Sequence, residues 1–143
     1  MKKSKAYHRR ILLVEDRVED ATLFKIVMGE VAPGAEVILF TSGDALLRFL
    51  EVPPIVRSGQ VIFMDLNLPG PSGIDCLSII KKHPVWREIP VVVLTSSVAP
   101  SDISRAYASY ANSYIQKPLE VEDFRKLART IGDYWLGAVT FSV

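Results

Sequence analysis

The run Val61-Ile62-Phe63-Met64 constrains this chain more than any other stretch. Four large apolar residues in succession leave no side for water. Bounded by Gly59 before and Pro69-Gly70 after, they predict a strand covered on both faces, as in the middle of a parallel sheet. The residue that follows is Asp65. A carboxylate at the end of such a strand is costly unless something compensates its charge. What the other segments bring to Asp65 therefore decides the chemistry.

Further apolar runs at residues 11–14, 37–40 and 89–94 predict three more strands, and 113–116 a short fifth one. The stretch 18–31 carries Leu23, Ile26, Val27 and Val31 at helical spacing and is closed by Pro33-Gly34. Ser42 is a predicted N-cap for a helix bearing Leu46, Leu47, Phe49 and Leu50, which stops before Pro53-Pro54. Ser72-Gly73-Ile74-Asp75 reads as a capping box opening a helix that runs to His83-Pro84. Two last helices are predicted over 101–110 and 120–135, the second with Phe124, Leu127, Ala128 and Ile131 on one face. Strands alternating with helices imply βαβ crossovers, and 143 residues leave room for one core. The expected architecture is a five-stranded, doubly wound α/β sandwich, with its ligand at the carboxyl ends of the strands.

A formal net charge of +1 gives no electrostatic case for nucleic acid. No apolar segment has the length of a membrane span, and the basic leader runs through 11–14 straight into Glu15-Asp16, not into the long apolar stretch of a secretory signal. The single cysteine, Cys76, excludes an internal disulfide and reads as core packing. These features point to a cytoplasmic chain with a solvated basic arm at 1–9 that includes His8. Lys81-Lys82 reads as a wet helix face, and His83 as a cation favourable at a helix C-terminus.

Four of the five strands end in reactive residues: Glu15-Asp16 after the first, Asp65 at the third, Thr95 after the fourth and Lys117 after the fifth. In a parallel sheet these ends share one edge. Each acid alone reads equally as a cap or turn former; the chemically complete set does not. Clustered carboxylates need a cation among them, and all-oxygen ligands suit Mg²⁺. Beside Mg²⁺, a lysine and a threonine hydroxyl, the group best accommodated is a phosphoryl group, with backbone N–H groups near Asn67 and Ser96 assisting. Asp65 then becomes a nucleophile that forms an acyl phosphate.

These segments resemble the landmark motifs of response-regulator receiver domains: Leu12-Leu13-Val14-Glu15-Asp16, Met64-Asp65-Leu66-Asn67-Leu68-Pro69 with Gly73, Leu94-Thr95-Ser96 and Gln116-Lys117-Pro118. The resemblance implies the flavodoxin-like strand order 2-1-3-4-5 over a receiver domain at 10–136, and a phosphoryl group passed to Asp65 by a sensor histidine kinase. It implies Mg²⁺ bound by Asp16, Asp65 and the Asn67 carbonyl, and by Glu15 through water. It also implies a cis peptide between Lys117 and Pro118 and a switch formed by Thr95 and Tyr114, although Tyr114 reads equally as a strand aromatic. The segment from Pro90 to Ser97 and the tail from Ile131 to Phe141 resemble stand-alone regulators that partner bacterial phytochromes, which implies a phytochrome-type kinase and a homodimer. In one departure, Tyr110 stands where many relatives carry a glycine able to take a left-handed turn, leaving Asn112 to absorb it.

The tail at 137–143 and the helix before it are too apolar to leave exposed. They either fold back or pack on a second copy. The preferred reading is a dimer through Phe124, Tyr134, Trp135, Leu136, Val139 and Phe141. The whole reads as a phosphorylation switch without an output domain, which speeds its own phosphorylation and slow hydrolysis but turns over no substrate. Two alternatives compete with it. A haloacid-dehalogenase-type phosphatase would carry a second aspartate where Asn67 stands, and would place its acid pair last. An interaction module that has lost the switch would take up no phosphate.

Overall fold

The structure, a computed structural model, describes residues 9–52 and 59–142; the reading of the basic arm at 1–8, with His8, lies outside the described residues, as does Val143. The strands β1 (Arg10–Val14), β2 (Glu36–Phe40), β3 (Gln60–Met64), β4 (Val91–Thr95) and β5 (Ser113–Gln116) form a parallel sheet in the order β2-β1-β3-β4-β5. The helices α1 (Val18–Val31), α2 (Gly43–Glu51), α3 (Gly73–Lys82), α4 (Pro100–Ala108) and α5 (Val121–Asp133) alternate with them. This is the expected doubly wound sandwich, strand order included.

The continuous apolar strands sort their side chains onto two dry faces. Leu12, Val14, Ile62, Met64 and Val93 pack against Leu46, Leu77 and Ile80 of α2 and α3. Ile11, Leu13, Val61 and Phe63 pack on the other side against Phe24, Val27 and Met28 of α1 and Phe124 and Ala128 of α5. Each large apolar side chain so buried gains about 1.5–3 kcal/mol over exposure. β1 and β3 pair from Arg10 opposite Gln60 to Val14 opposite Met64. Glu15 and Asp65, one step further, therefore emerge side by side.

Local chemistry fixes the loops at that edge. Ser42 accepts the Ala45 N–H at 3.1 Å, and Ser72 and Asp75 form the reciprocal capping box at the start of α3. Gly73 is required there, because a Cβ at this position would stand 2.2 Å from the Asp65 carbonyl oxygen. The missing side chain lets α3 begin directly against the end of β3.

Several expectations need correcting. The fourth strand starts at Val91, later than expected, because the Ile89 N–H is taken by Trp86 in a 3-10 turn over Trp86–Glu88 and Pro90 has none to give. Lys81 is no wet face: its Nζ donates to the Arg87 and Ile89 carbonyls at 3.0 and 2.8 Å, and burial pulls its pKa down to about 8. His83 works as an acceptor, not as a cation at a dipole; its Nδ1 takes the Val85 and Trp86 N–H groups, and its ring stacks on Trp86 at 3.9 Å. Cys76 is buried as expected, and burial pushes its thiol up to about 12.

The turn after α4 is made by Tyr110 itself, at φ 71°. The Tyr110 N–H reaches the Tyr107 carbonyl and the Ala111 N–H reaches that of Ala106, the paired bonds of a helix ending in a left-handed residue. Asn112 does not absorb the turn. Its Oδ1 accepts the Val91 N–H at 2.8 Å and its own N–H returns to the Val91 carbonyl, so it starts the β4–β5 ladder.

α5 stops at Asp133 and continues as a π-helical turn over Tyr134–Ala138. The tail then folds back on its own subunit. Phe141 is 8% exposed, lies against Trp135, and has the Arg9 guanidinium 4.8 Å above its ring. Ser142 Oγ donates to Glu88 Oε1 at 2.8 Å. Phe124 is also core, edge-on to Phe24. These two residues are occupied within the subunit, which corrects their assignment to a dimer interface. Trp135, Leu136 and Val139 are half-buried against the same core, and Tyr134 is exposed.

Candidate functional site

The carboxyl ends of β1, β3, β4 and β5 bring Glu15, Asp65, Thr95 and Lys117 together, all buried. Asp65 is held through both oxygens. Oδ1 accepts the Thr95 hydroxyl at 2.8 Å and the Asn67 N–H at 3.2 Å, while Oδ2 accepts from Lys117 Nζ at 2.8 Å. Thr95 reaches Asp65 because β3 and β4 are neighbours, and Lys117 arrives from β5, where the Lys117 N–H is fixed to the Thr95 carbonyl. Glu15 accepts Lys117 Nζ at 2.5 Å with one oxygen and the Arg17 N–H at 3.1 Å with the other.

Asp20 and its neighbour Arg17 escaped the sequence reading. Asp20, on the first turn of α1, accepts from Lys117 Nζ at 2.9 Å, and its same oxygen lies 3.3 Å from the Arg17 guanidinium. The available signal was position: Asp20 stands in the first turn of the helix that opens just after Asp16. Asp16 itself is exposed and makes no hydrogen bond or ion pair with the described residues. Tyr114 is half-buried, and its hydroxyl donates to the Ser97 carbonyl at 3.0 Å, tying β5 to the loop after β4.

The electrostatics follow from crowding. Burial opposes charge on Asp65, but the hydrogen bond and charge of Lys117, with Thr95 and the Asn67 N–H, outweigh it and hold the carboxyl below its ordinary range. At Glu15 burial wins despite Lys117, and the carboxyl is pushed up. Burial also works against charge on Lys117, yet its carboxylate partners Asp65, Glu15 and Asp20 keep the ammonium charged beyond the usual lysine range. The acceptor is thus ionised and its lysine protonated at neutral pH. An ionised carboxylate is a competent nucleophile toward phosphorus.

Among the described residues no three His, Cys, Asp or Glu side chains are placed to hold a metal ion; Glu15, Asp20 and Asp65 close around the Lys117 ammonium. The donor chemistry still fits a hard divalent cation. Glu15, Asp16, Asp65 and the Asn67 carbonyl offer only oxygen, and the carboxylates, Asp20 included, outnumber the cations Lys117 and Arg17.

The sequence profile of the response regulator receiver domain matches residues 11–129. The chain belongs to that family. The receiver is similar to the probable methanogenesis regulatory protein FilR2 of Methanothrix harundinacea, with 36% identity over 89% of this chain and 83% of that one. It is similar to response regulator Rcp1 of Synechocystis, with 35% identity over 91% of this chain and 90% of the relative. The crystal structure of the Mn²⁺-bound form of Rcp1 superposes with a TM-score of 0.83 at 34% identity, covering 94% of the receiver and 99% of that chain. The phosphorylated cyanobacterial phytochrome response regulator RcpA superposes with a TM-score of 0.88 at 30% identity, covering 96% and 100%. Among the described residues of the receiver, no helix is long and apolar enough to cross a membrane.

Proposed function

We propose that this receiver accepts a phosphoryl group on Asp65 from a histidine kinase and signals through the protein contacts that the modification alters. The observation that carries the reading is the tethering of Asp65 to Thr95, the Asn67 N–H and Lys117, which leaves an ionised nucleophile among oriented donors. An Asp65 oxygen forms the new O–P bond while the P–N bond of a phosphohistidine breaks, its electron pair leaving with the imidazole. Lys117 and the Thr95 hydroxyl then turn to the phosphoryl oxygens. Asp16, Asp65 and the Asn67 carbonyl, with Glu15 through water, would hold Mg²⁺, which would supply positive charge to offset the crowded acids and the phosphoryl group. The receiver catalyses its own modification and its slow reversal, and no other reaction.

Thr95 and Tyr114 form the switch in this reading. Thr95 moves toward the phosphoryl group, the loop after β4 follows, and the Ser97 carbonyl that anchors the Tyr114 hydroxyl shifts with it. That couples the site to α4 and β5. The similarity to Rcp1 and RcpA supports a phytochrome-type kinase as donor, in a cytoplasmic setting. A second copy would meet the face of α5 and the π turn through Tyr134, with Trp135, Leu136 and Val139 contributing their exposed edges. The donor is tested by transfer of labelled phosphate from an autophosphorylated bacterial phytochrome kinase. Label moving to wild type and not to Asp65→Asn within seconds to minutes supports it, whereas no faster transfer than from an unrelated kinase overturns the phytochrome assignment.

A further inference from the structure

The proposed acceptance of phosphate on Asp65 leaves one matter of geometry at Lys117. An ammonium has three N–H donors and no acceptor. All three are engaged: Nζ lies 2.5 Å from Glu15 Oε1, 2.8 Å from Asp65 Oδ2 and 2.9 Å from Asp20 Oδ2. No N–H remains for an oxygen of an incoming phosphoryl group, so one partner must let go.

The three are not held alike. Glu15 is 3% exposed, and its second oxygen is committed to the Arg17 N–H; releasing it would strand a buried carboxylate. Asp65 keeps its hold on Lys117 while a donor approaches, because its carboxylate charge is lost only once the O–P bond has formed. The Asp20 side chain is 31% exposed, stands on the first turn of α1, and already has the Arg17 guanidinium 3.3 Å from the oxygen that faces Lys117. Set free, Asp20 stays charged beside a cation and in water. It is the least costly partner to release.

From this we infer that Asp20 is a positioning residue acting through Lys117: it holds the place that a phosphoryl oxygen takes, and phosphorylation of Asp65 exchanges one for the other. In the resting site Asp20 engages the third donor of Lys117 and withholds that N–H from an incoming phosphoryl oxygen. Toward a phosphodonor it is a competitor, both for the lysine and through its own negative charge. Its removal therefore favours capture of the donor more than the transfer that follows.

The test is the rate of Asp65 phosphorylation in the full chain with Mg²⁺, followed by intact mass against acetyl phosphate concentration, for wild type, Asp20→Asn and Asp20→Glu. Asp20→Asn is expected to lower the half-saturating concentration about three- to fivefold, the factor that loss of a partly exposed ion pair corresponds to. The saturated rate should change by less than about twofold, and Asp20→Glu should restore the wild-type value. A structural role alone would not split the two constants in this way, nor be rescued by charge. Wild-type phosphorylation with Asp20→Asn at an equal or higher half-saturating concentration overturns the inference and leaves Asp65 as acceptor. No uptake by the wild type overturns both.

Discussion

Asp65 and Lys117 are each buried and each charged, and each is among the partners that keep the other so. A buried carboxylate without a partner neutralises itself, and a buried ammonium does the same. Because the folded-state pKa of Asp65 lies below the ordinary 3.8, its ionisation contributes stability above that value, lost as pH falls through the folded one. The stability difference between wild type and Asp65→Asn should accordingly be flat above about pH 5 and shift against the wild type on acidification below about pH 4. Urea unfolding across that range checks it; a difference independent of pH down to acid denaturation would mean that Asp65 gains nothing from Lys117. At this scale the sequence was informative for a definite reason. Residues at the ends of parallel strands share an edge whatever the details, so Asp65, Thr95 and Lys117 could be read together. Asp20 reaches the same lysine from a helix, and its side-chain direction depends on how α1 docks, which no strand-end rule supplies.

Elements were legible where apolar runs set them and less so where single residues end them. β5 and α1 have the bounds the pattern predicted, while β4 starts late because a 3-10 turn consumes the donor of Ile89. The end of α4 is the clearest case. Tyr110 takes a left-handed conformation, which for a residue with a Cβ costs about 1–2 kcal/mol, and its side chain is 75% exposed, so little packing offsets that cost. Tyr110→Gly should thus stabilise the fold by about 1 kcal/mol in chemical denaturation, with an unchanged dependence on denaturant. A loss of stability would show that the tyrosine ring makes contacts worth more than its strain.

On the scale of the molecule, the sheet and its two helical layers follow from the uninterrupted apolar strands, and that much was read directly. The tail was not, because an apolar terminus is satisfied equally by its own subunit or by another. Phe141 lies at the end of a path that leaves α5 through the π turn and brings Ser142 to Glu88, in the 3-10 turn between α3 and β4. Phe141→Ala should cost about 3 kcal/mol, equally at low and at high protein concentration. A cost that appears only at high concentration would instead place the ring in a contact between copies.

The central claim is that Asp65 accepts a phosphoryl group. The most direct measurement is intact mass after incubation with acetyl phosphate and Mg²⁺, for wild type and Asp65→Asn, with and without a chelator. One added phosphoryl group on the wild type, lost on chelation and absent from the variant, is the predicted result. A wild type that stays unmodified, or a variant that gains the same mass, would contradict it and leave the receiver an interaction module that does not use its acids for phosphorylation.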